Sequence, residues 1–185
     1  QWRGEITDRK KNGELYTAEI TIMALRNSNG AITNYISIVN DVTKKKEQEE
    51  LIHNLAYFDS LTQLPNRVLL EERVVSRIPA MKSNNRKMAL LFIDMDNFKN
   101  INDTLGHYIG DKFLIEASLL IKDILREQDT LSRLGGDEFI IMIDDVESVM
   151  DIASTADSIV QRFNYPVILE DKELYSGVSI GISIY

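Results

Sequence analysis

The stretch that most constrains how this chain can fold runs from Leu131 to Ile143, L-S-R-L-G-G-D-E-F-I-I-M-I. Two β-prone runs flank Gly135-Gly136-Asp137-Glu138. Glycine takes positive φ without a Cβ clash, so a Gly-Gly pair between such runs predicts a tight β-hairpin. Its tip then carries two carboxylates, Asp137 and Glu138. The glycines beside them let a bulky ligand approach the backbone. Carboxylates on a rigid turn suit a hard divalent cation. An isolated G-G-D-E reads as a solvated turn, so the residues upstream have to decide.

Composition narrows the field. At 185 residues the chain can bury one good core, or a core plus a fragment. The net charge of −8 argues against a nucleic-acid backbone as partner, because that attraction needs clustered Lys and Arg. An acidic chain can still bind an anionic nucleotide through a metal ion. The absence of cysteine excludes disulfides and thiolate sites and fits a reducing cytoplasm. His53 and His107 are too far apart for a zinc motif. No run of about 18 apolar residues is present to span a membrane. The abrupt start at Gln1, without a signal-peptide pattern, is what a domain fragment would show, and a membrane attachment further upstream in the parent stays open.

Residues 1–43 read as strands. Asn12-Gly13 and Asn29-Gly30 are turn signals between Glu5–Thr7, Leu15–Leu25 and Ala31–Val42. Two or three such strands bury one face poorly unless something covers them. Residues 44–57 switch to helical periodicity, with Leu51, Ile52, Leu55 and Ala56 as a narrow stripe on a polar helix. That suits a connector or a short two-stranded coiled coil, or equally a helix packed on its own domain.

The second domain spans 58–185. A proline preceded by capping residues predicts a helix over Arg67–Ile78, ended by Pro79. Met88–Ile93 is a continuous apolar run, predicting a buried central strand. Asp94–Gly110 reads as a polar loop with a short helix, and Asp111–Arg126 as a longer amphipathic helix. After the hairpin come a helix near Val149–Phe163 and β-prone Val167–Leu169 and Leu174–Ile184. The order α-β-α-β-β-α-β-β predicts an α+β domain of the ferredoxin-like βαββαβ palm type. Asp94 and Asp96 follow the central strand, where sheet proteins present functional groups. If the hairpin pairs beside that strand, Asp94 and Asp137 converge on one crevice and could bind magnesium.

The blocks Phe92-Ile93-Asp94-Met95-Asp96-Asn97-Phe98-Lys99, Ile101-Asn102-Asp103-Thr104, Gly106-His107, Gly110-Asp111 and Gly135-Gly136-Asp137-Glu138-Phe139 together resemble the GGDEF family of diguanylate cyclases. Asp59-Ser60-Leu61-Thr62-Gln63-Leu64-Pro65-Asn66-Arg67 is similar to the family's entry motif, with Gln63 where glycine is usual. The resemblance covers about residues 57–185. It implies a nucleotidyl-cyclase palm that condenses two GTP into cyclic di-GMP as a homodimer, with Mg2+ or Mn2+. It implies Asp94, Asp137 and the carbonyl of Met95 as metal ligands, and Glu138 at the metal or the attacking hydroxyl. Backbone N–H groups of Asn97 and Phe98, with Lys99, would hold phosphates. Asn102 and Asp111 would read guanine, since a carboxylate can accept from both N1–H and the exocyclic amine; the bland role for Asp111 is helix capping. Gly135 and Gly136 would let the substrate in.

Arg126-Glu127-Gln128-Asp129 matches the family's R-x-x-D product-inhibition site, where a guanidinium fork suits a phosphate or guanine edge. The bland alternative is an ion pair at a helix end. The texture of residues 1–43, closing on Asp41-Val42-Thr43, resembles the C-terminal half of a PAS sensory domain. Relatives continue into a basic helix and a final strand, so a chain ending at Tyr185 is expected to be a weak or inactive cyclase. A silent GTP-binding module regulating an adjacent cyclic di-GMP phosphodiesterase is the alternative function.

Overall fold

Alternation of apolar and polar residues, broken by Asn-Gly pairs, sets the first part of the chain. The computed structural model describes residues 1–84, 86–146 and 148–185. Residues 1–54 and 55–185 form two compact units. In the first, β1 (Trp2–Arg9), β2 (Leu15–Arg26) and β3 (Ile32–Asp41) form an antiparallel sheet in that order. Gly13 and Gly30 sit at positive φ, 92° and 80°, as the Asn-Gly turns require. Only Ala18 is fully buried, and β3 is exposed along its whole length, as three uncovered strands must be. Asp41 accepts the Thr43 N–H at 3.0 Å, and helix α1 (Thr43–Tyr57) starts there. That helix buries none of its residues, so Leu51, Ile52 and Leu55 lie exposed.

The second unit is built on the apolar run. Its order is α2 (Arg67–Asn84), β4 (Lys87–Met95), α3 (Phe98–Leu105), α4 (His107–Lys122), β5 (Thr130–Gly135), β6 (Glu138–Val146), α5 (Val149–Arg162), β7 (Val167–Leu169), β8 (Lys172–Leu174) and β9 (Val178–Ile184). The main sheet runs β5-β6-β4-β9, every neighbour antiparallel. From β4 to β9 this is the βαββαβ connectivity that the element order predicts. One face of the sheet carries Leu91, Ile93, Phe139 and Ile141, packed with Phe113, Leu114, Ile121, Ile152 and Ile159 of α4 and α5. On the opposite face Met88, Ile140 and Met142 pack with Leu70 and Met81 of α2. This second cover is partial: Phe92 is 48% exposed. The continuous run is therefore central in the sheet but covered on both faces only at its start.

Several boundaries depart from expectation: β1 spans Trp2–Arg9 rather than Glu5–Thr7, and α4 ends at Lys122 rather than Arg126. Helix α2 does not stop at Pro79 but runs on to Asn84 with Pro79 inside. Proline removes one helical hydrogen bond, to the carbonyl of Val75. Val75 is exposed, so water can take that bond, while Met81 beyond the break gains burial against the sheet. Helix α4 begins at His107 rather than Asp111, because Gly106 (φ 84°) closes α3 and the buried Ile109 and Gly110 pack the first turn. Finally, Leu174 does not open the last strand. It closes a hairpin with Val167 whose turn residues Glu170 and Asp171 are both left-handed, and β9 starts only at Val178.

Gln63 stands at φ 57° in the turn between Asp59 and Asn66, where a side chain is strained. Its amide donates to the Ser60 carbonyl at 2.9 Å, which offsets part of the cost. Gln63→Gly should raise the unfolding free energy by about 0.5–1 kcal/mol. Urea denaturation at neutral pH measures the change, and a lower midpoint would show that the side-chain bond outweighs the strain.

Candidate active site

The hairpin is tighter than its four-residue motif suggests. Gly135 pairs with Glu138, leaving Gly136 and Asp137 as the two turn residues. Gly136 takes φ 55°, the positive value such a turn needs at its first central position. The tip is fixed from below by Arg133, whose guanidinium donates to the Gly136 carbonyl at 3.1 and 2.7 Å. Its third contact is to Asp59 Oδ1 at 2.7 Å. The same oxygen accepts the Thr62 N–H at 2.9 Å and its hydroxyl at 2.7 Å. The Arg133 N–H donates to the Pro65 carbonyl, and Asn66 Oδ1 caps α2 at the Leu69 N–H, 3.1 Å away. The entry motif is thus a closed turn docked on β5.

Arg133 stands in the quoted hairpin, yet the sequence reading assigned it no role. The one signal available was an arginine amid apolar strand residues, two positions before the glycines. Its partner is 74 residues away, which no local pattern shows.

The paired ends of β4 and β6 carry the acidic groups. Asp94 is directly opposite Glu138, and the Met95 N–H reaches the Asp137 carbonyl at 3.4 Å. Asp94's direct cross-strand neighbour is therefore Glu138, with Asp137 one residue further out at the tip. Asp94 is exposed, yet partial desolvation raises its carboxyl above the ordinary value, and the charges of Asp137 and Asp96 add to the rise. Carboxylates that oppose each other's ionisation are what a divalent cation relieves. Asp94, Asp137 and the Met95 carbonyl would offer oxygen donors only, the chemistry that a hard cation prefers. Among the described residues no group of three His, Cys, Asp or Glu side chains gathers for one, so a cation here would need main-chain or substrate oxygens as well.

A cleft of about 610 Å³ is lined by Asp94, Glu138, Phe92, Arg67, Ser179 and Gly181 among others, but not by Asp137 or Met95. The remaining predicted residues lie on α3 and α4. Asn97 is left-handed (φ 58°) at the start of α3, followed by buried Phe98 and exposed Lys99. Asn102 lies over Gly110: a Cβ there would meet Asn102 Oδ1 at 2.0 Å. Asp111 is exposed one turn inside α4, whose cap is Gly106, so the capping role does not hold. Asn102 and Asp111 do not line the cleft with Asp94 and Glu138.

Arg126 and Asp129 form the turn into β5. Asp129 Oδ2 accepts the Arg126 backbone N–H at 3.0 Å, so the contact is a cap rather than an ion pair. Burial pushes the Asp129 carboxyl up, against the pull of Arg126. Both residues line a second cleft of about 430 Å³, with Arg73 and Lys122.

An antiparallel βαββαβ sheet with carboxylates at the paired ends of its two central strands is a ferredoxin-like palm with an acidic site at its strand ends. The family model "Diguanylate cyclase, GGDEF domain" matches residues 56–185, and the chain belongs to the GGDEF family. It is 42% identical over 140 residues to the bifunctional diguanylate cyclase/cyclic di-GMP phosphodiesterase MucR of Pseudomonas aeruginosa, covering 76% of this chain and 20% of that protein. It is 40% identical over 140 residues to the diguanylate cyclase TpbB of the same species, covering 75% and 32%. The solved GGDEF domain of TpbB superposes with a TM-score of 0.68 at 39% identity, over 70% of this chain and 76% of that one. The chain thus spans a third or less of the length of these two curated relatives.

Burial raises the Asp59 carboxyl, but the Thr62 bonds and the Arg133 guanidinium outweigh this and hold it below the ordinary value. A depressed folded pKa adds stability above the unfolded pKa and loses it as pH falls through the folded one. Urea midpoints of the parent should therefore drop as pH falls below about 4. Asp59→Asn should be less stable at neutral pH and lose less on acidification. Parallel pH profiles for the two proteins would remove Asp59 from the balance.

Proposed function

We propose that residues 58–185 act as a diguanylate cyclase, condensing two GTP into cyclic di-GMP with release of two pyrophosphates, in a homodimer. The observation that carries this reading is the meeting of Asp94, Asp137 and Glu138 at the paired ends of β4 and β6. Asp94, Asp137 and the Met95 carbonyl hold Mg2+ or Mn2+. When bound, the cation neutralises triphosphate charge and acidifies the attacking hydroxyl. Each 3′-oxygen bonds to the α-phosphorus of the other GTP, the bond from that phosphorus to pyrophosphate breaks, and the hydroxyl loses its proton. Glu138, exposed on the cleft opposite Asp94, takes that proton. Open space above Gly135 and Gly136 keeps the tip accessible.

The Asn97 and Phe98 N–H groups at the start of α3 hold phosphate oxygens, with Lys99 adding charge. Asn102 and Asp111, brought close by the packing of Asn102 over Gly110, read guanine. Two such domains face each other across a two-fold axis, and the exposed Leu51, Ile52 and Leu55 of α1 support pairing of the connector. Residues 1–43, as the end of a PAS-like domain, supply the input. The GTP substrate puts the domain in the cytoplasm. A second reading is a GTP-binding module that governs an attached cyclic di-GMP phosphodiesterase, and the phosphodiesterase activity in the bifunctional relative's name supports the attachment. Incubation with GTP and Mg2+ of this chain, and of a version extended through the expected basic helix and final strand, separates the two. Cyclic di-GMP and pyrophosphate in a 1:2 ratio support the cyclase, and GTP binding without product in both supports the module.

Asp137→Asn alters a turn tip and should leave the melting temperature nearly unchanged, while turnover falls about a hundredfold or more. Chromatography of the nucleotides checks this, and undiminished product would overturn the assignment. For feedback, Arg126 and Asp129 bind the product at the second cleft. Arg126→Ala should weaken cyclic di-GMP binding about tenfold in calorimetry with GTP affinity intact. Equal product affinity in both proteins would leave Asp129 as a turn cap alone.

A further inference from the structure

We propose that Asp96 is a positioning residue: it latches the segment between β8 and β9 to the end of β4, and so holds Asp94 and the Met95 carbonyl in place. The inference rests on the cyclase reading in one respect, that Asp94 and Met95 are taken as cation ligands.

Three groups of Asp96 are engaged by three residues of the β9 side. Its N–H donates to the Gly177 carbonyl at 2.9 Å. Its carbonyl accepts the Ser176 hydroxyl at 2.9 Å. Its Oδ1 accepts the Ser179 hydroxyl at 2.7 Å. The second carboxylate oxygen rests on Gly177, where a Cβ would come within 2.6 Å of it. Gly177 is a glycine for close approach here, since its φ is not in the left-handed region. Ser176 is buried, so a hydroxyl without these acceptors would be costly.

The place of the latch gives it a function. The β4–β9 ladder ends at Asp94↔Ser179 and Met95↔Val178. One residue past Asp96 the chain turns through left-handed Asn97. The strand end that bears the site would have only its last ladder pairs to hold it, and strand ends fray. Asp96 ties it sideways at the next residue. Asp94 and Asp96 are interchangeable to a reader of D-x-D, yet their surroundings differ. Asp94 lines the cleft, whereas both oxygens of Asp96 face the β9 segment. Side chains that orient metal ligands commonly change affinity by about 10–100-fold when lost.

The test titrates Mn2+ alone by electron paramagnetic resonance into the 185-residue protein and its variants, with thermal melting as the fold control. Ser179→Ala deletes the hydroxyl at an exposed site. Gly177→Ala pushes the carboxylate off by steric contact. Each should weaken Mn2+ binding about tenfold while the protein remains folded. Asp96→Asn keeps an oxygen for Ser179 and should stay within about threefold of the parent, whereas Asp96→Ala should not. Parental Mn2+ affinity in both Ser179→Ala and Gly177→Ala would overturn the proposal, as would a parent that binds no Mn2+. So would Asp96→Asn binding as poorly as Asp96→Ala, because the charge itself would then be the ligand. A parent that binds Mn2+ and shows the expected variant series keeps the latch whether or not it makes cyclic di-GMP. The cyclase reading fails only if a version extended through the expected basic helix and final strand also makes none.

Discussion

The guanidinium of Arg133 is the interaction on which the second unit's site depends. A buried cation is tolerated only when its donors are matched and its charge is offset. Here the Gly136 carbonyl takes two donors and Asp59 takes a third, with the side chains only 9% and 17% exposed. Removing one partner from such a buried pair costs about 3–5 kcal/mol, because the other charge is stranded. The consequence is geometric as well as energetic. The hairpin tip cannot shift without disturbing the entry turn, which in turn sets the start of α2 through the Asn66 cap. The acidic tip is therefore a rigid platform rather than a loop.

On that platform four aspartates have four different tasks, each set by its surroundings. Asp59 is held charged by Thr62 and Arg133 against the effect of burial. Asp94 is discouraged from ionising by partial desolvation and by Asp137 and Asp96, a balance that a cation would reverse. Asp96 is turned into the β9 segment. Asp129 is drawn into a turn, with one oxygen on the Arg126 N–H and the other buried without a hydrogen-bond partner among the described residues. Residue type alone predicts the same chemistry for all four; burial and partners separate them.

Much of the architecture was legible beforehand. The Asn-Gly turns, the apolar run of β4 and the Gly-Gly hairpin follow local rules, and glycine φ and side-chain periodicity are local physics. The misplaced boundaries have long-range causes. Pro79 stays inside α2 because Met81 beyond it finds a core to enter, and α4 starts early because Ile109 and Gly110 pack the first turn. The candidate site divides in the same way. Asp94 and the hairpin carboxylates were visible as types at strand ends, while Arg133 was not, since its value lies in a contact across 74 residues.

The sequence by itself determined the kinds of element, their order, and the residue blocks that mark the GGDEF family, because these depend on neighbours in the chain. Only the tertiary structure decided which strands lie side by side, β5-β6-β4-β9. With that order it decided that Asp94 meets Glu138 on one side and Ser179 on the other. It likewise decided that Asp96 turns away from the cleft, and that Asp129 caps a turn. The reason is that charge, hydrogen bonding and burial at a carboxylate are set by atoms distant in the chain, which come together only once the sheet has formed.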